Sequence, residues 1–207
     1  MKLYDCIIFD VDGTLIDSES VILSTLQTIV EEELHLKIKR SGLLFALGIP
    51  SEVTLRELGI QDIGRVTSKW NKYMKDKLEL LKLFEGIDHM LSILSGFKAT
   101  FGIVSSKSRD ALNEIFKILD IEKYFKRIIC KEDTKNHKPK PDPILEFIRR
   151  FDINASTAIY IGDTDYDMES ATSAGVDFGL ALWGARKNIE TKIRFEQPAQ
   201  IIEIIKK

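Results

Sequence analysis

The feature that most constrains this chain is a rhythm of short apolar runs, each too brief for a buried helix. They fall at residues 6–9, 99–104, 127–130, 158–161 and 179–183. Amphipathic segments separate the later ones. Within 108–119, Leu112, Ile115, Phe116 and Leu119 share one helical face. Asp142-Pro143 reads as a helix N-cap followed by proline at the first helical position, with Ile144, Leu145 and Ile148 behind it. Met168, Ala171 and Ala174 mark another face, and Gly175 is placed to end that helix. Strand and helix in alternation predict an α/β fold, a parallel sheet covered by helices on both faces.

Residues 16–85 break the rhythm. Ile22, Leu26, Ile29 and Val30 mark one amphipathic helix, and further helical stretches are expected around 51–58 and 62–83. Gly42, Gly48 and Pro50 punctuate the segment. No strand is expected there. The spacing therefore predicts an all-helical insertion after the first strand, with residues 1–15 and 86–207 forming the sheet domain and 16–85 a small second domain.

Composition narrows the function classes. Of the 207 residues, 30 are Lys or Arg and 32 are Asp or Glu, a formal charge of −2 that argues against a nucleic-acid partner. Apolar residues make up 44% and charged residues 30%, the profile of a globular chain that folds without disulfide support. The two cysteines, Cys6 and Cys130, adjoin apolar runs and are expected as buried thiols. The first apolar run is cut by Asp10, too early for a signal peptide or a membrane span. The expectation is a cytoplasmic protein with no membrane partner, and a monomer, because nothing apolar and repetitive suggests a large interface.

In open α/β sheets, ligands bind beyond the carboxyl ends of the strands. The first run is followed by Asp10-Val11-Asp12-Gly13-Thr14-Leu15, the second by Ser105, Ser106 and Lys107. Lys138-Pro139-Lys140-Pro141 lies after the third, and Gly162-Asp163-Thr164-Asp165-Tyr166-Asp167 follows the fourth. Asp10, Asp12, Asp163 and Asp167 would bring up to four carboxylates to one edge. At ~4 Å each pair repels by roughly 1–4 kcal/mol, depending on the effective dielectric. A hard cation such as Mg²⁺ suits oxygen ligands of this kind and bridges readily to phosphate. With Lys138, the Ser105 hydroxyl and free backbone N–H groups around Gly13, it would form a phosphoryl cradle. One carboxylate can then attack phosphorus while another moves protons. Asp10 and Asp12, two apart, point to one side of an extended chain.

These stretches closely resemble the haloacid dehalogenase superfamily, most of whose members are phosphatases. D-V-D-G-T-L matches its first motif, Ser105 its second, Lys138 its third and G-D-T-D-Y-D its fourth, so the likeness spans the chain. I-V-S-S-K, H-K-P-K-P-D-P and A-L-W-G-A bring it nearest the phosphoglycolate phosphatase and pyrophosphatase branch. The resemblance implies a Rossmann-like core with a helical cap. It implies Asp10 as nucleophile and metal ligand, and Asp12 as general acid/base whose backbone carbonyl also reaches the metal. It further implies Asp163 as a direct Mg²⁺ ligand, Asp167 as its support through water or an outer layer, and Gly13, Thr14, Ser105, Ser106 and Lys138 around the phosphate. An acid at position 12 implies phosphate ester or anhydride transfer in place of dehalogenation. Sugar phosphomutases of this branch usually carry a histidine in the first cap helix, where this chain reads Val21-Ile22-Leu23.

The reading is a Mg²⁺-dependent phosphatase for a small phosphorylated metabolite of the phosphoglycolate type. The alternatives are a β-phosphoglucomutase-like sugar phosphomutase, an inorganic pyrophosphatase, and a phosphate-binding module without turnover. Plainer roles are kept for several residues. Lys140 and His137 are expected on the surface, and Asp165 at a helix start. Glu31-Glu32-Glu33 is expected on a solvated face. Loop 47–51 either faces substrate or is a simple turn. Arg56 and Lys107 are candidates to meet an anionic tail.

Overall fold

The computed structural model describes residues 2–185 and 189–206. In chain order the elements are β1 (Cys6–Phe9), β2 (Ile16–Asp17), α1 (Glu19–Leu34), α2 (Ser51–Glu57), α3 (Ile63–Lys75), β3 (Lys82–Leu83), α4 (Ile87–Leu94), β4 (Thr100–Val104), α5 (Arg109–Leu119), β5 (Ile128–Ile129), α6 (Asp142–Phe151), β6 (Ala158–Gly162), α7 (Asp165–Ser173), β7 (Asp177–Ala181) and β8 (Ile193–Phe195). Six strands form one sheet in the order β5-β4-β1-β6-β7-β8, every neighbouring pair parallel. The expected α/β architecture is the observed one.

The sheet is buried on both sides because its strands alternate apolar residues to each face. Ile7 and Phe9 pack with Ile103, Ile159, Met90, Leu112 and Phe116 under α4 and α5. Cys6 and Ile8 pack with Val104, Tyr160, Ile144, Phe147 and Ala171 under α6 and α7. Both cysteines are buried and free. From β1 the chain moves outward to β4 and β5, then crosses to β6, β7 and β8. The order thus reverses beside β1, and a crevice opens beyond the carboxyl ends of β1 and β6.

Residues 22–70 contribute a third apolar cluster, including Ile22, Leu26, Ile29, Leu55, Val66 and Trp70. This separate core is the reason to propose residues 16–85 as a cap of their own. The segment is not wholly helical: β2 and β3 pair antiparallel, Ile16 with Leu83, where the chain leaves and re-enters the sheet domain. Two-residue strands carry too little pattern to be read from sequence. Glu32 and Glu33 do more than face solvent. Lys69 of α3 lies 2.6 Å from Glu32 and 2.8 Å from Glu33, and Arg65 pairs with Glu33, so the acidic run clasps α1 to α3.

Three local expectations need correction. The cap of α6 is Pro141, with Asp142 already helical; Phe147 is buried on its inner face while Leu145 is exposed. The last apolar run starts its strand earlier, at Asp177, and ends it at Ala181, because Leu182, Trp183 and Gly184 turn back toward the site. Finally, α4 and β8 have no counterpart in the expected elements.

Gly102 on β4 is a close-approach position. A Cβ there would lie 2.2 Å from the Phe147 ring and 2.8 Å from the Arg127 carbonyl. Gly102→Ala is expected to destabilise the fold by about 1–3 kcal/mol through overpacking, measured as a lower urea midpoint at an unchanged slope.

Candidate active site

The loop after β1 is held by its own backbone. The N–H groups of Leu15 and Ile16 donate to the Val11 carbonyl, and the Gly13 N–H donates to the Ile16 carbonyl. Gly13 takes φ +78°, and a Cβ on it would sit 2.1 Å from Asp163 Oδ2. Only glycine lets this loop lie against the loop after β6. One expectation fails here: the Gly13 N–H is committed within the loop and is not free for a phosphate.

The loop after β6 leads into α7 through a reciprocal cap. Thr164 Oγ1 accepts from the Asp167 N–H at 3.2 Å, and Asp167 Oδ2 accepts from the Thr164 N–H at 3.0 Å and the Thr164 hydroxyl at 2.6 Å. This capping box fixes Asp167 at the third helical position, fully buried beneath Asp163. Asp165, at the start of α7, is exposed.

Lys138 closes the cluster. It is 3% exposed, and its ammonium donates to Asp10 Oδ1 at 2.8 Å, Asp167 Oδ1 at 2.6 Å and the Tyr160 hydroxyl at 3.2 Å. All three of its donors are therefore engaged within the protein. Tyr160 in turn donates to the Val104 carbonyl at 2.9 Å. It was missed because an aromatic inside the apolar stretch Ala158-Ile159-Tyr160-Ile161 reads as core. Its hydroxyl, the one polar group among those side chains, was the available signal.

With Asp167 saturated, the free carboxylate capacity belongs to Asp10 and Asp163. Asp163 Oδ1 accepts from the Thr14 hydroxyl at 3.1 Å. Asp10 Oδ2 is buried with no hydrogen-bond partner among the described residues. One carboxylate oxygen from each of Asp10, Asp163 and Asp167 lies within 4.8 Å of the others. Three carboxylates against one ammonium leave two formal negative charges. A hard divalent cation fits this donor set, and Mg²⁺ is the ordinary one for carboxylates at a phosphate site.

Burial pushes the Asp10 carboxyl up to about 7, against the pull of Lys138 and with the help of Asp167. Burial, then Asp167 and Asp10, hold Asp163 well above the usual carboxylate range. Burial opposes the charge on Lys138, yet Asp10 and Asp167 together raise its pKa.

Asp12 points elsewhere. Its carboxylate pairs with Lys107 at 2.8 Å and accepts from the Ser18 hydroxyl at 2.5 Å. It lines a cavity of about 600 Å³ between cap and core that also reaches Asp10, Ser106, Lys107 and the cap loop at Gly48, Ile49 and Ser51. Ser105 is buried, and its Oγ accepts from the Lys107 N–H at 3.2 Å. The Ser106 hydroxyl donates to the Gly48 carbonyl of the cap at 2.8 Å. Trp183 donates its indole N–H to the Thr14 carbonyl at 2.8 Å, bracing the first loop from behind. Arg56 and Lys140 lie on a separate groove of about 520 Å³, together with half-buried His137.

Residues 7–181 match the family described as haloacid dehalogenase-like hydrolase, and the chain belongs to that family. Pyrophosphatase PpaX of Bacillus velezensis is 27% identical, the match covering 88% of this chain and 85% of that protein. Phosphoglycolate phosphatase of Aquifex aeolicus is 29% identical over 86% and 84% of the two chains. The solved haloacid dehalogenase-like hydrolase SP0104 of Streptococcus pneumoniae shares the fold at a TM-score of 0.80, with 24% identity over 97% of each chain. The earlier resemblance and the hydrolase assignment stand on these matches. No helix among the described residues is long and apolar enough to cross a membrane.

The buried carboxyls give a pH signature. Asp10 and Asp163 hold protons more tightly in the folded state than in the unfolded chain, so they make the metal-free protein less stable as pH rises toward and through about 7. A divalent cation bound by these carboxylates would take the place of those protons. Saturating Mg²⁺ is expected to raise the thermal midpoint more at about pH 8 than at about pH 5.5. An equal rise at both values, read by scanning calorimetry, would remove Asp10 and Asp163 as ligands.

Proposed function

We propose that this member of the haloacid dehalogenase-like hydrolases is a Mg²⁺-dependent phosphatase acting on a small phosphomonoester through an aspartyl-phosphate. The observation that carries the reading is the Asp10 carboxylate, with Oδ1 tied to Lys138 and Oδ2 buried but unpartnered at the floor of the cavity.

In this reading Asp10 Oδ2 attacks phosphorus, and the bond to the leaving oxygen breaks. Asp12 gives that oxygen a proton, then takes one from the water that hydrolyses the aspartyl-phosphate. Splitting the displacement in this way lets one carboxylate serve both steps. Asp10 and Asp163 would hold the metal, with the Asp12 backbone carbonyl, while Asp167 supports them from below. The ion, when bound, supplies Lewis-acid charge neutralisation at the phosphoryl oxygens. Thr14 orients Asp163, and Lys138 keeps Asp10 ionised for attack. Ser105, Ser106, Gly13 and Thr14 are assigned to the phosphate end; Gly13 acts there through its shape, since its N–H is committed. Before it can give up that proton, Asp12 has to exchange its Lys107 partner for the leaving oxygen, and the ion pair marks Lys107 as the residue that moves.

The names of the relatives keep phosphoglycolate and pyrophosphate on the panel of substrates. A sugar phosphomutase is the second reading. The side chains of Val21, Ile22 and Leu23 offer no group to handle a sugar hydroxyl's proton. Cytoplasmic location and a monomeric state remain part of the proposal.

Phosphate release from an aryl phosphate tests the reading. Turnover is expected with Mg²⁺ and not with chelator. Asp10→Asn should lower kcat at least about a thousandfold. Asp12→Asn should lower it about a hundredfold or more. Full activity in Asp10→Asn would end the mechanism. Conversion of a sugar phosphate to its isomer without phosphate release would favour the mutase.

A further inference from the structure

The cavity above Asp10 is larger than glycolate or phosphate would fill. Its volume of about 600 Å³ lies within the roughly 300–1,000 Å³ of pockets that envelop a drug-sized ligand, far more than a two-carbon acid fills. Its outer half is walled by α3. Thr67, Trp70, Asn71 and Met74 recur at helical spacing and face the cavity together. Trp70 and Met74, with Ile22 and Leu78, give that wall an apolar surface. The Thr67 hydroxyl is buried beside them with no hydrogen-bond partner among the described residues.

Charge points the same way. Six carboxylates line the cavity against four lysines. Three of those lysines are already paired: Lys107 with Asp12, Lys75 with Glu114 at 2.5 Å, and Lys131 with Glu52. The fourth, Lys72, is exposed at the cavity's edge and forms no ion pair among the described residues. A second anionic group on the substrate would meet a wall whose cations are mostly spoken for and whose balance is negative. An uncharged body would not.

We infer that the preferred substrate is a phosphomonoester with an uncharged leaving group of about nucleoside size. Its apolar or aromatic face lies against Trp70 and Ile22, and a polar group on it meets the Thr67 hydroxyl. The inference rests on the phosphatase reading and narrows it, away from the small dianions.

Two measurements on the full chain separate the two claims. The first compares kcat/KM for a nucleoside 5′-monophosphate, glucose 6-phosphate, phosphoglycolate and inorganic pyrophosphate in Mg²⁺. The nucleotide is expected to lead phosphoglycolate and pyrophosphate by about tenfold or more. Thr67→Val should shrink that lead at least about fivefold, as loss of one hydrogen bond to the leaving group does, and Thr67→Ser should keep it. The second measures binding of the same four compounds to Asp10→Asn by calorimetry, which needs no turnover. Binding in this order without turnover in the native chain would leave the pocket assignment standing and sink the phosphatase reading. Turnover with phosphoglycolate, pyrophosphate or the hexose phosphate preferred would sink the pocket assignment alone. So would a substrate preference that Thr67→Val leaves unchanged.

Discussion

A buried lysine organises this site. Lys138 has lost almost all contact with water, and an ammonium in that position survives only if every donor finds an acceptor and its charge is met. Asp10, Asp167 and Tyr160 supply the acceptors: Asp10 follows β1, Tyr160 lies within β6, and Asp167 sits on the helix after β6. The consequence runs outward from there. Asp167 must be deep, so the helix after β6 begins with a capping box that pins it. Asp10 must turn one oxygen toward Lys138, which leaves the other oxygen facing the cavity. Tyr160 must stand in the middle of an apolar strand and anchor itself on the Val104 carbonyl. Removing the ammonium would leave three carboxylates crowded with no counter-charge, a burden that a divalent cation alone would have to carry.

This arrangement explains which parts of the site could be read from sequence. Asp10, Asp163, Asp167 and Lys138 each follow an apolar run, and a parallel sheet brings the ends of such runs to one edge whatever lies between. The structure does bring them together, across separations of up to 157 residues between Asp10 and Asp167. The finer division of labour came from the family resemblance and was not legible in the spacing. Nothing in the spacing distinguishes Asp163, which keeps free oxygen capacity, from Asp167, which does not. That difference follows from local hydrogen bonds to Thr164 and from the reach of Lys138. Backbone donors around Gly13 were likewise unreadable, since their availability depends on how tightly the loop closes on Val11 and Ile16.

The same contrast holds for the fold. The five runs located five sheet strands because strands buried on both faces are continuously apolar. The sixth, β8, reads Ile193-Arg194-Phe195 on the sheet edge, where one residue in three is exposed and the signal disappears. α6 was placed nearly correctly, but its inner face was not. Leu145 and Phe147 are equally apolar, and only the sheet beneath decides that Phe147 fills the space left by Gly102.

The cap follows different physics from the core it covers. Its interior is apolar, with α1 clasped to α3 by Glu32 and Glu33. The seam between cap and core combines apolar packing of Val21, Met74, Leu78 and Leu81 on the core with polar contacts: Lys131 pairs with Glu52, Lys75 with Glu114, and Ser106 donates to Gly48. Polar contacts of this kind exchange their partners for water at little net cost, so relative motion of the two parts about the apolar contacts is the default expectation. A phosphatase of this type needs such a seam. Under the proposed mechanism, water has to be kept out while Asp10 attacks and let in when the aspartyl-phosphate is hydrolysed, and the leaving group has to depart between the two. An apolar seam would have held the cap shut more firmly, but would also have exposed a greasy surface at every opening. Under the same proposal, ion pairs around the rim would let the cavity close over a substrate and release its product at a smaller penalty than a wholly apolar seam.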